Sequence, residues 1–358
     1  VVTGWSVSAN GAEAFKWSAG TGIIGLGDLP GGGFDSIALA ASGDGSVIVG
    51  SGEIAGNAKH AVRWVEGKGI FELLPAPPNT SATRARGVSA DGTIAAGVAD
   101  DPKGVQRSFI WTEGVGVLLL PDLDGAQASW ANHISASGEV VVGRSGAHAY
   151  RWTSQGGIVG LGDFPGGSNL SEANGVSGNG KVVVGFGSTD PGEEAFRWTE
   201  EGGLFGLGDL PGGGFRSWAY GASFDGSVIV GFSETDRGDE AFIWSERNGM
   251  QSVQELLAKI GVSTDGWILE SAWGASDDGL TLSGIGINPA GNTEGWVAVI
   301  PAPAAGLSLL AAFAAFTASP RRRRLESVHC DYRPAAEAAF AKKRAPSLDY
   351  SWLISSRA

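Results

Sequence analysis

Cys330 is the only cysteine in this chain, and it lies near the C-terminal end. No internal disulfide can form, so stability must come from packing and repetition. Histidine is scarce as well: the four copies, at positions 60, 133, 148 and 329, show no metal-ligand spacing. His60 and His148 read as strand-end residues. Basic residues are outnumbered 25 to 38, for a net charge of −13. The first 300 residues hold 16 of the basic and 34 of the acidic residues, a net of −18. So acidic a body repels phosphate backbones, which excludes nucleic acid as a partner. Sustained helical periodicity is missing before residue 300, except over 253–260. A nucleophile elbow is missing too, and so are both common calcium-loop patterns. The repeated "GLGDLPGG" lacks the Lys-Ser/Thr ending and the following helix of a phosphate loop. No catalytic residue, cofactor or metal site is assigned on these grounds, and the chain reads as a non-enzyme.

Glycine is what the chain has in excess, 59 of 358 residues, without a three-residue period. Yet 42% of the residues are hydrophobic and 13 are tryptophan, which separates it from a disordered Gly-rich chain. Many short strands joined by glycine turns reconcile the two numbers.

Self-similarity is the strongest signal. "GLGDLPGGGF" at Gly25–Phe34 recurs unchanged at Gly206–Phe215, with a close copy from Gly160 to Gly167. An apolar strand ends on Gly4, Gly50, Gly97, Gly143, Gly185, Gly231 and Gly284. An aromatic strand, "EAFKW" at Glu13–Trp17, returns from His60, Arg107, His148, Glu194 and Glu240, and in altered form from Glu294. The turn Ser-x-[Asp/Asn/Ser]-Gly begins at Ser42, Ser89, Ser135, Ser177, Ser223 and Ser276. Asp-Gly and Asn-Gly tolerate positive φ and suit tight hairpins. These turns are expected to join the last strand of one unit to the first strand of the next.

Each unit then holds four short strands over roughly 46 residues, the scale of a β-propeller blade. The expected fold is all-β: a β-propeller of four-stranded blades, seven in number with one incomplete. A β-solenoid is the alternative. The first two strands occur seven times and the last two six times, so two strands upstream of Val1 are expected to pair with the C-terminal pair and latch the ring. Motif tryptophans such as Trp17 and Trp244 are expected in the core. Glu13, Glu194, Glu240 and Glu294 recur in register, as do Asp28, Asp163 and Asp209. Such repetition marks structural residues, because a catalytic site is one asymmetric cluster.

"HAYRW" or "EAFRW", then "GLGDLPGG", then Ser-x-Asp-Gly, then "VVG", in constant order, resemble the HAF family of extracellular bacterial repeats over residues 1–300. That resemblance implies export and a surface location, and no established activity. After it, "IPAPAAGLSLLAAFAAFTASPRRRR" resembles a PEP-CTERM sorting signal. The corresponding parts are Pro301 and Pro303, an apolar run over 304–318, and the cluster Arg321, Arg322, Arg323 and Arg324. The resemblance implies transient membrane anchoring through 304–318. It also implies a sorting transpeptidase (exosortase) as partner. The chain thus divides into a repeat domain, 1–300, a sorting segment, 301–324, and a tail, 325–358, expected to be disordered.

The expected function is a non-enzymatic surface or extracellular-matrix protein that binds polysaccharide or another protein. The alternative is a secreted propeller hydrolase or lyase acting on polysaccharide. Trp130, Phe215 and Trp218 lie near the variable stretch after the glycine doublet. They are the candidates for stacking on sugar rings.

Overall fold

The computed structural model describes residues 1–301 apart from 56–57, 74–82 and 102, and beyond them the strand Phe313–Phe316. The chain folds as a seven-bladed β-propeller. Seven antiparallel sheets are each built from consecutive strands, six of them four-stranded and one three-stranded. Blade 2 shows the pattern, running from inner to outer as Ile37–Ala41, Val47–Ile54, Ala58–Val65 and Gly69–Glu72. Inner strands of successive blades lie against one another and so ring the axis. Blades 3 to 7 span residues 83–119, 129–160, 171–206, 217–252 and 268–316. Blade 1 holds Val2–Val7, Ala12–Ser18 and Gly22–Gly25.

Two expectations are corrected. The Ser-x-Asp-Gly turn does not link units: it joins the inner and second strands of one blade, as where Ala41 pairs with Ile48 across Ser42–Gly45. So tight a turn can only connect antiparallel neighbours in one sheet. Passage to the next blade falls instead on the Gly-rich stretch after "LGDLP", which is long enough to cross. Secondly, the C-terminal strand pair is not latched by N-terminal strands. Its sheet is completed by Ile268–Ala275 and Phe313–Phe316, and blade 1 is the three-stranded one. Phe313–Phe316 comes from within the apolar run 304–318. Pro303, Arg321–Arg324 and the tail 325–358 lie outside the described residues.

The helix expected near 253–260 is present as Val253–Lys259, capped by Ser252, whose Oγ accepts the Glu255 N–H at 3.1 Å. It takes the place of the "LGDLP" segment in blade 6 and buries Val253 and Leu257 toward blade 7. Among the described residues no helix is long and apolar enough to cross a membrane.

Seven apolar clusters hold the ring, one at each junction between neighbouring blades. At the junction of blades 5 and 6, Val184 and Ala195 meet Ala219, Ile229, Phe242 and Trp244. The last junction closes the circle: Val2, Phe15 and Trp17 of blade 1 pack on Trp273, Ile285 and Val297 of blade 7. Trp64, Trp152 and Trp244 are buried, as the core reading expects, whereas Trp17, Trp111 and Trp198 are half-buried at the margins of their clusters. Truncating such an aromatic costs about 3–5 kcal/mol, so the junctions dominate stability.

Contrary to expectation, the second strands do not end on their repeated glycine but run on past it, and close packing explains why it is there. Gly231 faces Ala219 of the inner strand and Phe242 of the third. A methyl group on it would lie 1.9 Å from the Trp218 carbonyl oxygen and 2.7 Å from the Phe242 ring. Only glycine lets the aromatic ring cross so near the backbone.

Polar repeats tie the blades together. A buried Ser or Thr begins the inner strand and reaches back to the preceding blade. Ser36 Oγ accepts the Ala14 N–H at 3.0 Å, and Thr83 Oγ1 accepts the Ala61 N–H at 2.7 Å. Ser129, Ser171 and Ser217 repeat the bond. In the hairpin turns, Ser42 Oγ donates to Asp44 Oδ1 at 2.8 Å and accepts the Val47 N–H at 3.0 Å. Asp44 also accepts the Ser46 N–H, while Gly45 has φ 69°. The Asp therefore caps its own turn.

Candidate functional site

In a repeat protein the site is sought where the repeat breaks. Aligned on the second-strand glycine, the inner strands read Ile37-Ala38-Leu39, Arg84-Ala85-Arg86, Trp130-Ala131-Asn132, Glu172-Ala173-Asn174, Trp218-Ala219-Tyr220 and Ser271-Ala272-Trp273. The central alanine is constant because it packs between blades. Its two neighbours change from blade to blade, and they are the unrepeated side chains around the axis.

Over blades 4 to 7 these side chains form a continuous seam. Arg144 lies over the Trp130 ring at 4.6 Å and pairs with Glu172 of the next blade at 3.2 Å. Phe186 stacks on Trp218 of the next blade, centroids 4.1 Å apart and planes at 11°. Tyr220 stacks on Trp273 with the same spacing and angle. The residue following the second-strand glycine thus reaches the inner strand of the blade ahead.

Arg216 stands just before the inner strand of blade 6. It sits 4.8 Å from the Phe232 ring centroid and 5.5 Å from that of Trp218. Three carboxylates surround it: Asp239 at 3.3 Å, Glu234 at 3.6 Å and Glu193 at 3.9 Å. Glu193 also accepts the Trp218 indole N–H at 2.9 Å. All lie toward the end of the blades where inner strands begin, opposite the Ser-x-Asp-Gly turns. Burial holds the Asp239 carboxyl above its ordinary range, with Arg216 opposing and Glu234 adding to the shift. Burial likewise raises Glu270, and the nearby Asp239 charge adds to it. Burial drives the Tyr220 phenol far above its usual range.

The three residues expected to stack on sugars do not form one platform. Trp130 belongs to blade 4 and Trp218 to blade 6, with blade 5 between them. One face of Trp218 is covered by Phe186, and the Trp130 indole N–H donates to Gln106. Phe215 is half-buried, and its carbonyl accepts the Glu193 N–H at 3.1 Å. Arg216, Glu193, Glu234, Asp239, Glu270, Tyr220 and Trp273 were not singled out from sequence. The available signal was their failure to repeat.

The in-register acids have structural work. Asp28 accepts the Asp35 and Glu53 N–H groups at 2.6 and 3.0 Å, and Glu194 accepts the Gly208 N–H at 3.0 Å. His60 pairs with Glu72, and His148 with Asp163 at 2.9 Å. Among the described residues no three His, Cys, Asp or Glu side chains are grouped to hold a metal.

Comparison with known proteins bears on the fold. No family model matches the chain, and no curated protein matches it. Solved structures do match. An oligogalacturonate lyase in complex with manganese is 12% identical, with a TM-score of 0.52, covering 81% of this chain and 83% of that one. The β-propeller domain of the Trilobed protease from Pyrococcus furiosus, described as having an open velcro topology, is 10% identical with a TM-score of 0.50. It covers 82% of this chain and 87% of that one. TolB from Acinetobacter baumannii is 14% identical with a TM-score of 0.45, covering 68% of this chain, which spans 60% of TolB. The likeness is one of fold.

Proposed function

We infer that the chain is a non-enzymatic binding propeller of the bacterial surface or extracellular matrix, and that it takes a polysaccharide on the seam over blades 4 to 7. The observation that carries the glycan-binding reading is the half-buried Trp218 ring set beside the polar groups around Arg216. Carboxylates of Glu193, Glu234 and Asp239 offer acceptors to sugar hydroxyls, and the half-buried Trp218 ring supplies apolar surface beside them. A net negative body favours neutral or cationic glycans over polyuronates. Export rests on the HAF-like repeats and the PEP-CTERM-like segment. In this reading an exosortase cleaves near Pro301–Pro303 and removes the edge strand Phe313–Phe316.

A glycan array probed beside a panel of polysaccharide hydrolase and lyase substrates tests the function. The expected result is retention of neutral or cationic glycans, at least tenfold weaker for Arg216→Ala, without turnover. Absence of glycan retention would sink the reading. A second reading, a secreted hydrolase or lyase, is favoured by one observation: burial holds both Asp239 and Glu270 above the usual carboxylate range, and the Asp239 charge adds to the shift of Glu270. Product formation abolished by Asp239→Asn would put that reading in place of the first. Cell fractionation with mass spectrometry of the mature C-terminus tests sorting. A chain that keeps Arg321–Arg324 outside the cell argues against it.

A further inference from the structure

Asn-Gly occurs four times in the chain, beginning at Asn10, Asn174, Asn179 and Asn248. The dipeptide has a chemistry of its own, in which the glycine amide nitrogen attacks the asparagine carboxamide. Glycine, with no Cβ, hinders that approach least. Reaction requires an attacking N–H and a carboxamide that are both unengaged, and a backbone that can turn them toward each other. The four copies are identical as dipeptides and differ only in what the fold does to those groups.

Asn179 is held at every point. Its Oδ1 accepts the Lys181 N–H at 3.0 Å and the Ser177 hydroxyl at 2.7 Å, while the Gly180 N–H donates to the Ser177 carbonyl at 2.9 Å. Asn174 sits at the bulge of an inner strand, and its amide donates to the Ala219 carbonyl at 2.9 Å. Gly175 after it is wedged in place, since a methyl group there would lie 2.5 Å from the Tyr220 carbonyl oxygen. Asn248 is exposed, and among the described residues its carboxamide has no hydrogen-bond partner. Gly249, however, pairs with Ser245 in the ladder that closes the hairpin, and the Asn248 N–H donates to the Ser245 carbonyl at 3.1 Å.

Asn10 stands apart. It is exposed in the turn between Val2–Val7 and Ala12–Ser18. Among the described residues neither its carboxamide nor the Gly11 N–H has a hydrogen-bond partner. The turn is fastened through other atoms. The Ser8 N–H and hydroxyl both donate to the Gly11 carbonyl, at 2.7 and 3.1 Å, and the Asn10 N–H donates to Ser8 Oγ at 3.2 Å. Those bonds hold the two residues side by side and leave the reacting groups unengaged.

We propose that Asn10 is a site of spontaneous deamidation, and that the fold sets the order Asn10, then Asn248, while sparing Asn174 and Asn179. The Gly11 N–H gives its proton to solvent as its nitrogen bonds to Asn10 Cγ. The Cγ–Nδ2 bond breaks, and the nitrogen leaves as ammonia with a proton taken back from solvent. Water then adds to either carbonyl of the resulting cyclic imide and opens it to an aspartyl or isoaspartyl residue. The step consumes one water and needs no oxidant or enzyme. Either product adds a negative charge at the end of the blades where inner strands begin, beside Asp35, which bridges Ala12 just after the turn. The isoaspartyl form also inserts a methylene into the main chain.

The test incubates the full chain in warm, mildly alkaline buffer, with circular dichroism to verify that it stays folded. Peptide mapping by mass spectrometry then follows each Asn-Gly. Conversion at Asn10 is expected to be at least tenfold faster than at Asn174 or Asn179, where hydrogen bonds must break before attack. In the chain unfolded by urea the four should convert at similar rates, because only tertiary structure separates them. Asn10→Gln should remove the first acidic species seen on isoelectric focusing of the folded protein, since the longer side chain closes its ring far more slowly. Asn174 or Asn179 converting as fast as Asn10 in the folded chain overturns the proposal. So does an Asn10 that stays intact in the folded chain while it converts in the unfolded one.

Discussion

Ser171 and Ala149 are joined across the seam between blades 4 and 5: the Ser171 Oγ accepts the Ala149 N–H at 3.0 Å and donates to the Gly162 carbonyl at 3.1 Å. The hydroxyl is fully buried. Ser171→Ala leaves both backbone groups without their partner and is expected to cost about 1–3 kcal/mol in urea denaturation. Ser171→Thr should cost far less, because Thr83 fills the same role two seams earlier. Equal losses from the two variants would show that the slot selects for volume and not for the hydroxyl.

Gly231→Ala is expected to destabilise by about 1–3 kcal/mol or more, since the added methyl meets backbone that cannot retreat. Gly20→Ala is the control, because nothing lies within 4 Å of the methyl there. Thermal melts of the two variants should separate clearly.

Acid should loosen the hairpin turns. Hydrogen bonds from turn N–H and Ser hydroxyl groups hold Asp44 down to about 2, and also lower Asp91, Asp225 and Asp278. A carboxyl with a lower pKa folded than unfolded contributes stability that is full above its ordinary pKa and is lost as pH falls through the folded value. The window therefore runs from about pH 4 down to about pH 2. Asn179 makes the same turn bonds without a charge. Changing all four Asp to Asn should flatten the melting temperature across that window, and an unchanged slope would exclude the turns as its source.

Glu270 carries the opposite sign. Burial first, and then Asp239, raise its carboxyl. Its folded pKa exceeds the unfolded one, so wild-type stability declines as pH rises between the two. Glu270→Gln removes that decline. Its melting temperature is expected to exceed wild type at pH 7, with the gain fading toward pH 4. A gain that is constant with pH would point to packing instead.

The aromatic site is only half legible along the chain. Trp130 and Trp218 are conspicuous as letters, yet what distinguishes them is position. Each stands beside the invariant alanine of an inner strand, where Ile37, Arg84, Glu172 and Ser271 stand in other blades. Arg216 and Asp239 are separated by 22 intervening residues and meet because a four-stranded meander returns twice to the same end of the blade. Periodicity reports which face a residue takes, and says nothing of which distant partner shares that face.

The sequence by itself determined that this is an all-β protein of seven repeating units. Strand period, glycine turns and the aromatic strand are local signals, and they recur in constant order. Only the tertiary structure decided where a blade begins, since the order of strands along the chain is the same whichever strand is counted first. Only it showed that the Ser-x-Asp-Gly hairpin lies within a blade, that a Ser or Thr ties each of blades 2 to 6 to the one before, and that the first blade holds three strands among the described residues. Ring closure sets residues at opposite ends of the chain, Phe15 and Trp273, side by side. No local pattern encodes that meeting, because it exists only once all seven junctions have packed.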